Sequence, residues 1–428
     1  GYDQYFGGSQ DNGTFLSPRN LIADETTTWS FEIGGDGFEA IAHHTDPNKL
    51  IGGSQGNNFY RSTNGGASWS YAQYGLEGAD PFITRLSSPA QDPDVLYAVT
   101  NFGVMKSNDF GESWQAKQVE GNWNSSFWSG TDVEVSLANP RYVWAGSSMS
   151  FAGNIFLSKD WGETYESVPN FSSLGRTSGI YSHPTEDSTA YVLFGMPGAA
   201  KVLQTRDLGE TWEDLSGFTN SNDGKSLNGF PDVPVYSFLV MPHDKDIMWA
   251  GTEVGLIEST DGGASWHLVE SNLPYVTIWD LKLKDEGQIV IATHGRGVWT
   301  ATIDDLKSYE PKPAILPPFI LSAYQLDSED SYVISTNINT KSSYDSLVIK
   351  ANNVKRDVFQ NVDKSDSTNF VFEVDDKGDY TIQAFGYKDG LEYPSNEYDI
   401  ILNPTLQPRT EYSTTFSDLV GDEFGLDR

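Results

Sequence analysis

The sequence predicts an all-β protein in which a β-propeller is followed by a smaller β-sandwich. Five copies of one octapeptide with the pattern S/T-x-D/N-x-G-x-S/T-W/Y recur in it. Their starts lie roughly 45 to 55 residues apart, which is the length of one four-stranded propeller blade. Between the copies, short segments alternate apolar and polar residues and are rich in β-branched and aromatic types, as strands are. The copies begin at Ser62, Ser107, Ser158, Thr205 and Ser259.

Each residue type in the octapeptide has a structural role. The third residue can accept hydrogen bonds from turn N–H groups, and the glycine at the fifth position tolerates φ > 0. The closing aromatic residue can fill the gap between neighbouring sheets. We therefore predict folding elements here, with no ligand or metal bound. The third and closing residues are Asn64 and Trp69, Asp109 and Trp114, Asp160 and Tyr165, Asp207 and Trp212, and Asp261 and Trp266.

Two less regular blades flank these five. Residues 7–17 align with residues 52–62, and Trp29 takes the place of a closing tryptophan. Residues 277–302 contain three strand segments with no octapeptide after them. Residues 1–306 therefore hold about seven blades. Because the first blade begins at its second strand, we expect propeller sequence upstream of Gly1, which leaves the total number of blades open.

A second domain follows a proline-rich linker at residues 307–318, whose composition indicates a semi-rigid spacer. Residues 319–403 contain short alternating strands with turn signals between them, which predict a β-sandwich of immunoglobulin or fibronectin type. Its expected role is that of a spacer. Residues 404–428 are interpreted as a linker or the start of a further, truncated domain.

Composition narrows the possible partners. The chain of 428 residues carries 60 acidic and 27 basic side chains, a net charge of −33. This charge disfavours nucleic acids and anionic membranes as partners. The sequence contains no cysteine, which argues against a disulfide-rich eukaryotic receptor, and no apolar run long enough to span a bilayer. We predict no direct membrane insertion and no cofactor.

The candidate binding face lies opposite the octapeptide turns, where the loops between second and third strands and between blades gather. An aromatic loop holds Trp123, Phe127 and Trp128, whose rings suit stacking against sugars, although packing between blades is an equal alternative. Polar candidates on the same face are Gln10, Asn12, Gln55, His294 and Arg296. If the protein is a glycoside hydrolase, the carboxylates placed there by position are Asp36, Asp80, Asp132 and Asp280.

The octapeptides resemble the Asp-box, or bacterial neuraminidase repeat. Together with residues 8–14 and the Gly295–Trp299 segment, they are similar to secreted Asp-box propeller proteins of Bacteroidetes bacteria, distantly related to sortilin and xyloglucanase propellers. That resemblance implies an extracellular or outer-membrane location on a Gram-negative cell, type IX export, and a glycan or protein partner. It also leaves open membership of a larger outer-membrane assembly. A sialidase is excluded because the sequence lacks the arginine cluster and the Phe/Tyr-Arg-Ile-Pro motif that such enzymes need.

Two further sequence patterns indicate a possible enzymatic activity and possible sites of modification. Residues 33–38 are similar to a segment of xyloglucanase-type glycoside hydrolases, so hydrolysis of a β-glucan is the alternative to a non-catalytic binding protein. Three Asp-Ser/Thr triplets resemble the O-glycosylation pattern of the same bacteria. Their acceptor residues are Ser188, Ser346 and Ser367.

Overall fold

The computed structural model describes residues 4–19, 23–78, 81–121, 123, 132–147, 154–175, 177–284, 287–326 and 332–402. Over these residues the regular secondary structure is almost entirely strand, with a 3₁₀ turn at Asp304–Leu306. It divides into two compact units, and the division falls between Ala314 and Ile315, inside the proline-rich segment. None of the described helical segments is long and apolar enough to cross a membrane.

In the described residues the first unit is a propeller of seven groups of three or four strands that follow one another along the chain, here called blades 1 to 7. Five blades have four strands, while blades 1 and 7 have three. The strands of blades 1 and 7 are β1 (Phe6–Ser9), β2 (Gly13–Leu16), β3 (Ser30–Ile33), β24 (Ile278–Lys284), β25 (Gln288–Thr293) and β26 (Val298–Thr302).

The four-stranded blades are antiparallel meanders, each closed by a short outer strand after its octapeptide. Blades 2 and 3 comprise β4 (Gly37–Ala42), β5 (Leu50–Ser54), β6 (Asn58–Ser62), β7 (Ser70–Tyr71), β8 (Leu86–Ser87), β9 (Leu96–Thr100), β10 (Gly103–Ser107) and β11 (Gln115–Val119). Blades 4 to 6 comprise β12 (Asp132–Val135), β13 (Val143–Ser147), β14 (Asn154–Ser158), β15 (Thr164–Ser167), β16 (Thr177–Ser182), β17 (Ala190–Phe194), β18 (Val202–Thr205), β19 (Glu213–Asp214), β20 (Val235–Met241), β21 (Asp244–Thr252), β22 (Gly255–Ser259) and β23 (His267–Leu268).

The outer edges of blades 3 and 4 are joined, a feature that the repeat does not predict. Strands β11 and β15 pair in parallel through Val119 and Tyr165, so the two blades form one eight-stranded sheet. Glu163 of blade 4 lies at the same junction and accepts hydrogen bonds from Lys106 and Lys117 of blade 3, each at 2.7 Å. A charged cluster therefore reinforces this junction.

The octapeptide turns share one hydrogen-bond pattern, which is described here for the second copy. In blade 3 the Ser107 hydroxyl donates to Asp109 Oδ1 at 2.7 Å and accepts from the Gly111 N–H at 2.8 Å. Asp109 Oδ1 also accepts from the Ser113 N–H at 2.9 Å. Gly111 has φ +78°, and the residue before it, Phe110, also has a positive φ of +55°. The turn thus places two consecutive residues in the left-handed region, where glycine alone is unstrained.

The closing aromatic residues pack against the preceding blade. Trp114 is 3% exposed, stacks on Phe59 at 5.8 Å between ring centroids, and donates its indole N–H to the carbonyl of Ala72 at 2.8 Å. Trp266 likewise donates to the carbonyl of Leu215 in the preceding blade at 3.0 Å. Since each blade stacks on the next in this way, the core is a series of apolar layers between blades.

The two ends of the propeller array meet. Tyr5, just before β1, donates its hydroxyl hydrogen to Gln288 Oε1 of blade 7 at 3.0 Å. Lys284 of the same blade lies over the Tyr5 ring, 5.3 Å from its centroid. These contacts bring blade 1 against blade 7.

The second unit is a β-sandwich of two antiparallel sheets. One sheet has the order β27-β28-β31 and the other β30-β29-β32-β33. Their inner faces carry buried residues such as Ile334, Leu347 and Ile382. The strands are β27 (Phe319–Leu326), β28 (Tyr332–Thr340), β29 (Tyr344–Ala351), β30 (Val354–Val362), β31 (Ser365–Val374), β32 (Gly378–Lys388) and β33 (Leu391–Leu402).

Candidate functional site

The first strands of successive blades from 2 to 7 contact one another and line the centre of the propeller. Four of them contain a β-bulge close to the end at which the strand begins. The register shifts between Gly37 and Ala40 in β4, Thr177 and Gly179 in β16, Val235 and Ser237 in β20, and Ile278 and Asp280 in β24. Bulges of this kind turn a side chain away from the regular alternation of the strand.

Charged side chains from several of these strands meet in the centre, and we call Glu39, Arg85, Asp132, Glu134, Asp280 and Lys282 the channel cluster. Arg85 lies 3.7 Å from Glu39 and 3.8 Å from Asp132, between the carboxylate oxygens of blades 2 and 4. Lys282 lies 3.3 Å from Glu39 and 3.8 Å from Asp280. The cluster therefore connects blades 2, 3, 4 and 7 through ion pairs.

Backbone and hydroxyl groups complete the partners of these carboxylates. Asp132 Oδ2 accepts a hydrogen bond from the Ile180 N–H of blade 5 at 2.8 Å. Glu134 accepts from the hydroxyl of Ser182 at 2.7 Å, also in blade 5. Asp280 accepts from the Leu281 N–H at 2.9 Å. All four carboxylates of the cluster thus have hydrogen-bonded or charged partners.

Burial shifts the proton affinities of the cluster. It raises the pKa of Asp132 and of Asp280, although the neighbouring cations oppose the shift. Burial also raises the pKa of Glu134 to about 7. Asp280 and Glu39 together raise the pKa of Lys282 above its ordinary value, so this amine stays protonated. Burial therefore makes Asp132, Glu134 and Asp280 easier to protonate than exposed carboxylates.

Two aromatic side chains contact each other at the first strands of blades 6 and 7, and one of them precedes Asp280 of the channel cluster in the chain. Trp279, at the bulge of β24, is 47% exposed, and its ring centroid lies 4.3 Å from that of Tyr236 at the bulge of β20. The indole N–H of Trp279 donates to Nδ1 of His294 at 3.2 Å. The predicted candidate His294 therefore contacts the side chain of Trp279, which is adjacent in sequence to the predicted Asp280. Arg296 is exposed and its carbonyl accepts from the indole of Trp299 at 2.9 Å.

The polar candidates of blades 1 and 2 lie together around Asp36. Its carboxylate accepts from the Asp11 N–H at 2.8 Å, and its own N–H donates to Gln55 Oε1 at 2.7 Å. Asn12 donates to the carbonyl of Gln10 at 2.9 Å, and both side chains are exposed. Asp36 therefore connects two neighbouring loops, and its contacts are separate from the ion pairs of the channel cluster.

The aromatic loop is described only in part. Trp123 is half-buried, packs against Phe156 at 5.3 Å between ring centroids, and donates to the carbonyl of Thr100 at 2.9 Å. This is the packing alternative that the sequence analysis had left open. The predicted residues Phe127, Trp128 and Asp80 lie outside the described residues.

The three possible O-glycosylation serines differ in exposure. Ser367 is exposed on β31 and donates to Asn337 Oδ1 at 2.7 Å. Ser188 and Ser346 are half-buried, the latter within β29. In the part of the chain that the structure describes, no group of three or more His, Asp or Glu side chains is arranged to hold a metal ion.

Glu39, Arg85, Glu134 and Lys282 are not among the site residues that the sequence predicts. In the sequence each lies in or beside a short segment that alternates apolar and polar residues, a pattern that predicts a solvent-exposed charge. One signal was available, because first strands of propeller blades converge on the centre, and charges there are surrounded by other first strands. Asp132 and Asp280 were chosen by position, and the structure does bring them into one network.

Comparisons with known proteins agree on the propeller and differ in activity. No family model matches the chain. The xyloglucanase of Hypocrea jecorina is 24% identical over 313 residues, covering 68% of this chain and 33% of that protein. The photosystem II assembly lipoprotein Ycf48 of a Synechococcus species is 28% identical over 266 residues, covering 60% of this chain and 67% of that protein.

A solved structure supports the fold. A GH74 enzyme from Niastella koreensis superimposes with a TM-score of 0.51 at 13% identity, covering 92% of this chain and 70% of that one. This chain spans about a third of the length of the xyloglucanases that it matches. It is a β-propeller protein whose relatives include both glycan-hydrolysing enzymes and an assembly factor.

Proposed function

We propose that this protein is a non-catalytic binding propeller, which recognises a glycan or a protein partner through the loop face around its central channel. The proposal rests on one observation: Asp132 and Asp280 each form an ion pair with a neighbouring cation. Arg85 and Lys282 contact these carboxylates, and backbone N–H groups occupy further acceptor positions. They serve to hold neighbouring blades together.

A glycoside hydrolase needs carboxyl groups that are free to meet the sugar. Its acid and its base or nucleophile stand about 5 to 10 Å apart on either side of the scissile bond. In the channel cluster a cation stands next to each candidate carboxylate, and moving it away leaves buried negative charges together. This arrangement suits a structural role better than proton transfer to a substrate.

Hydrolysis of a β-glucan is the second candidate, favoured by the sequence matches to two xyloglucanases at 24% and 27% identity. The match to an assembly lipoprotein favours a third, an accessory role in a larger assembly. We propose a location outside the cell, on the surface of a Gram-negative bacterium, on the basis of the resemblance to secreted Asp-box propellers.

A panel of insoluble and soluble polysaccharides, scored for both retention of the protein and release of reducing ends, tests the proposal. Retention without release is the expected result. Release from any β-glucan that is lost in Asp132→Asn, Asp280→Asn, Asp36→Asn or Asp80→Asn makes the protein a hydrolase. If nothing is retained, a protein partner is sought by cross-linking on the surface of the source cell.

A further inference from the structure

The bulges of blades 5, 6 and 7 present one side chain each at the same point of the first strand. These side chains are Ser178, Tyr236 and Trp279, each lying at a register shift. Ser178 donates its hydroxyl hydrogen to the carbonyl of Val235, and Tyr181 donates to the carbonyl of Tyr236 at 3.1 Å. These two hydrogen bonds join blade 5 to blade 6 at the bulges. The bulge residues of blades 6 and 7, Tyr236 and Trp279, are both aromatic.

The indole of Trp279 is held in one orientation although nearly half of it is exposed. Tyr236 packs against it at 4.3 Å with an interplanar angle of 52°, while His294 fixes its N–H. His294 is itself anchored, since its backbone N–H donates to the carbonyl of Thr277 at 2.8 Å. An exposed aromatic ring with its rotamer already fixed loses little conformational entropy when a ligand covers it.

The imidazole of His294 adds a polar group at the edge of this ring. Because Nδ1 accepts the indole hydrogen bond, the neutral imidazole carries its hydrogen on Nε2. That N–H is a donor next to the aromatic surface. Arg296, exposed two residues later, adds guanidinium donors on the same loop.

We propose that Trp279, Tyr236 and His294 form a platform on which a pyranose ring of a neutral glycan stacks, with His294 donating to a ring hydroxyl. This inference rests on the proposed binding function and assigns it a ligand class and a place. A sugar ring has an apolar face of C–H groups and a polar edge of hydroxyls, which matches an aromatic surface bordered by donors.

Charge disfavours an anionic glycan as the ligand. The whole chain has a net charge of −33, so it repels anionic polymers. The carboxylate next to Trp279 in the sequence is Asp280, which already contacts Lys282 at 3.8 Å and therefore offers little attraction to a cationic ligand. Stacking with hydrogen bonds also predicts binding that changes little with salt concentration, unlike binding through ion pairs.

The test uses the full chain and four soluble neutral hexasaccharides, made of β-1,4-glucose, β-1,3-glucose, β-1,4-xylose and β-1,4-mannose, in calorimetric titrations. At least one is expected to bind, and Trp279→Ala is expected to weaken that binding about tenfold or more. Tyr324→Ala is the matched control, because Tyr324 of the second unit is also 47% exposed and should leave affinity unchanged. Trp279→Phe keeps an aromatic face and should recover much of the loss.

Each outcome decides a different point. If a hexasaccharide binds wild type and Trp279→Ala equally, the platform is wrong while the binding function stands. If no hexasaccharide binds but cross-linking identifies a partner protein on the cell surface, the glycan assignment is overturned and the binding function again stands. Thermal unfolding of Trp279→Ala at the wild-type temperature excludes misfolding as the cause of a loss, and a strong dependence on salt contradicts stacking.

Discussion

The octapeptide turns and the channel cluster use the same residue type in opposite ways. In the turns of blades 5 and 6, Asp207 and Asp261 are exposed, and hydrogen bonds from nearby Thr and Ser groups lower their pKa. In the channel, burial raises the pKa of Asp132 and Asp280. The partners of a turn aspartate lie two to four residues away, whereas those of a channel aspartate come from other blades.

We infer from this difference that the repeated turns and the centre of the ring are stabilised independently of each other. The turns are local structures whose contacts a short peptide already contains. The cluster exists only after the blades have closed around it, so its cost and its benefit belong to the assembled ring. Substitutions in the two regions should therefore differ in size, in pH dependence and in how well a conservative replacement rescues them.

The largest effect is expected from the closing residue of a turn. Trp114→Ala removes a ring that is 3% exposed and stacked between blades 2 and 3, so it should reduce the free energy of unfolding by about 3 to 5 kcal/mol. Trp69→Ala is the matched control, because Trp69 is only half-buried and should cost less. Urea unfolding followed by circular dichroism measures both. Equal losses would show that burial of the closing residue does not set its contribution.

A somewhat smaller effect is expected in the channel. Arg85→Met keeps the length of the side chain but removes the charge between Glu39 and Asp132. It should cost about 3 kcal/mol, because Asp132 loses its cation and Glu39 keeps only Lys282. Arg85→Lys should restore part of this loss. If Arg85→Met is as stable as the wild type in the same urea experiment, the ion pairs do not hold the blades together.

The pH dependence should separate the two regions. The pKa of Glu134 is about 7 in the folded protein, above its value in the unfolded chain. The folded state therefore binds this proton more tightly, and the resulting stability is present below about pH 4.5 and lost as the pH rises through 7. Glu134→Gln should remove about 2 kcal/mol of this dependence between pH 5 and 8.

The turn aspartates should act in the opposite direction. Because the folded-state pKa of Asp207 and Asp261 is lowered, their stabilisation is present above the unfolded pKa and is lost as the pH falls through the folded one. Thermal unfolding midpoints measured from pH 3 to pH 8 test both signs. A wild-type midpoint that still rises from pH 6 to pH 8 would contradict the assignment to Glu134.

The smallest effect is expected from a conservative change within a turn. Asp109→Asn should alter stability by less than about 0.5 kcal/mol, because Asn64 fills the equivalent position of blade 2 and accepts from the Ser68 N–H at 2.9 Å. Asp109→Ala should cost about 1.5 kcal/mol, since the N–H of Ser113 then loses its acceptor. Calorimetric unfolding distinguishes the two variants, and equal losses would make the negative charge itself the important property.

The fold could be predicted because its signal is local and repeated. Five copies of one turn at nearly constant spacing define the blades, and the turn contacts follow from residue types two to four positions apart. The positive φ of Phe110, Trp161 and Leu208 was not predicted, because their neighbours in the turn force it against the preference of these residues. The parallel pairing of β11 with β15 also left no mark in the repeat.

The repeated turns, the spacing of the strands and the composition were enough to predict a strongly negative β-propeller followed by a β-sandwich. The folded structure was needed to show which acidic residues meet in the channel, that Arg85 and Lys282 stand between them, and that Tyr236 and His294 contact the Trp279 ring. The physical reason is the range of the interactions. Turn hydrogen bonds join residues that are close together in the chain. The ion pairs of the channel and the ring contacts between blades join residues that are far apart in the chain, so their spacing in the sequence does not predict that they meet.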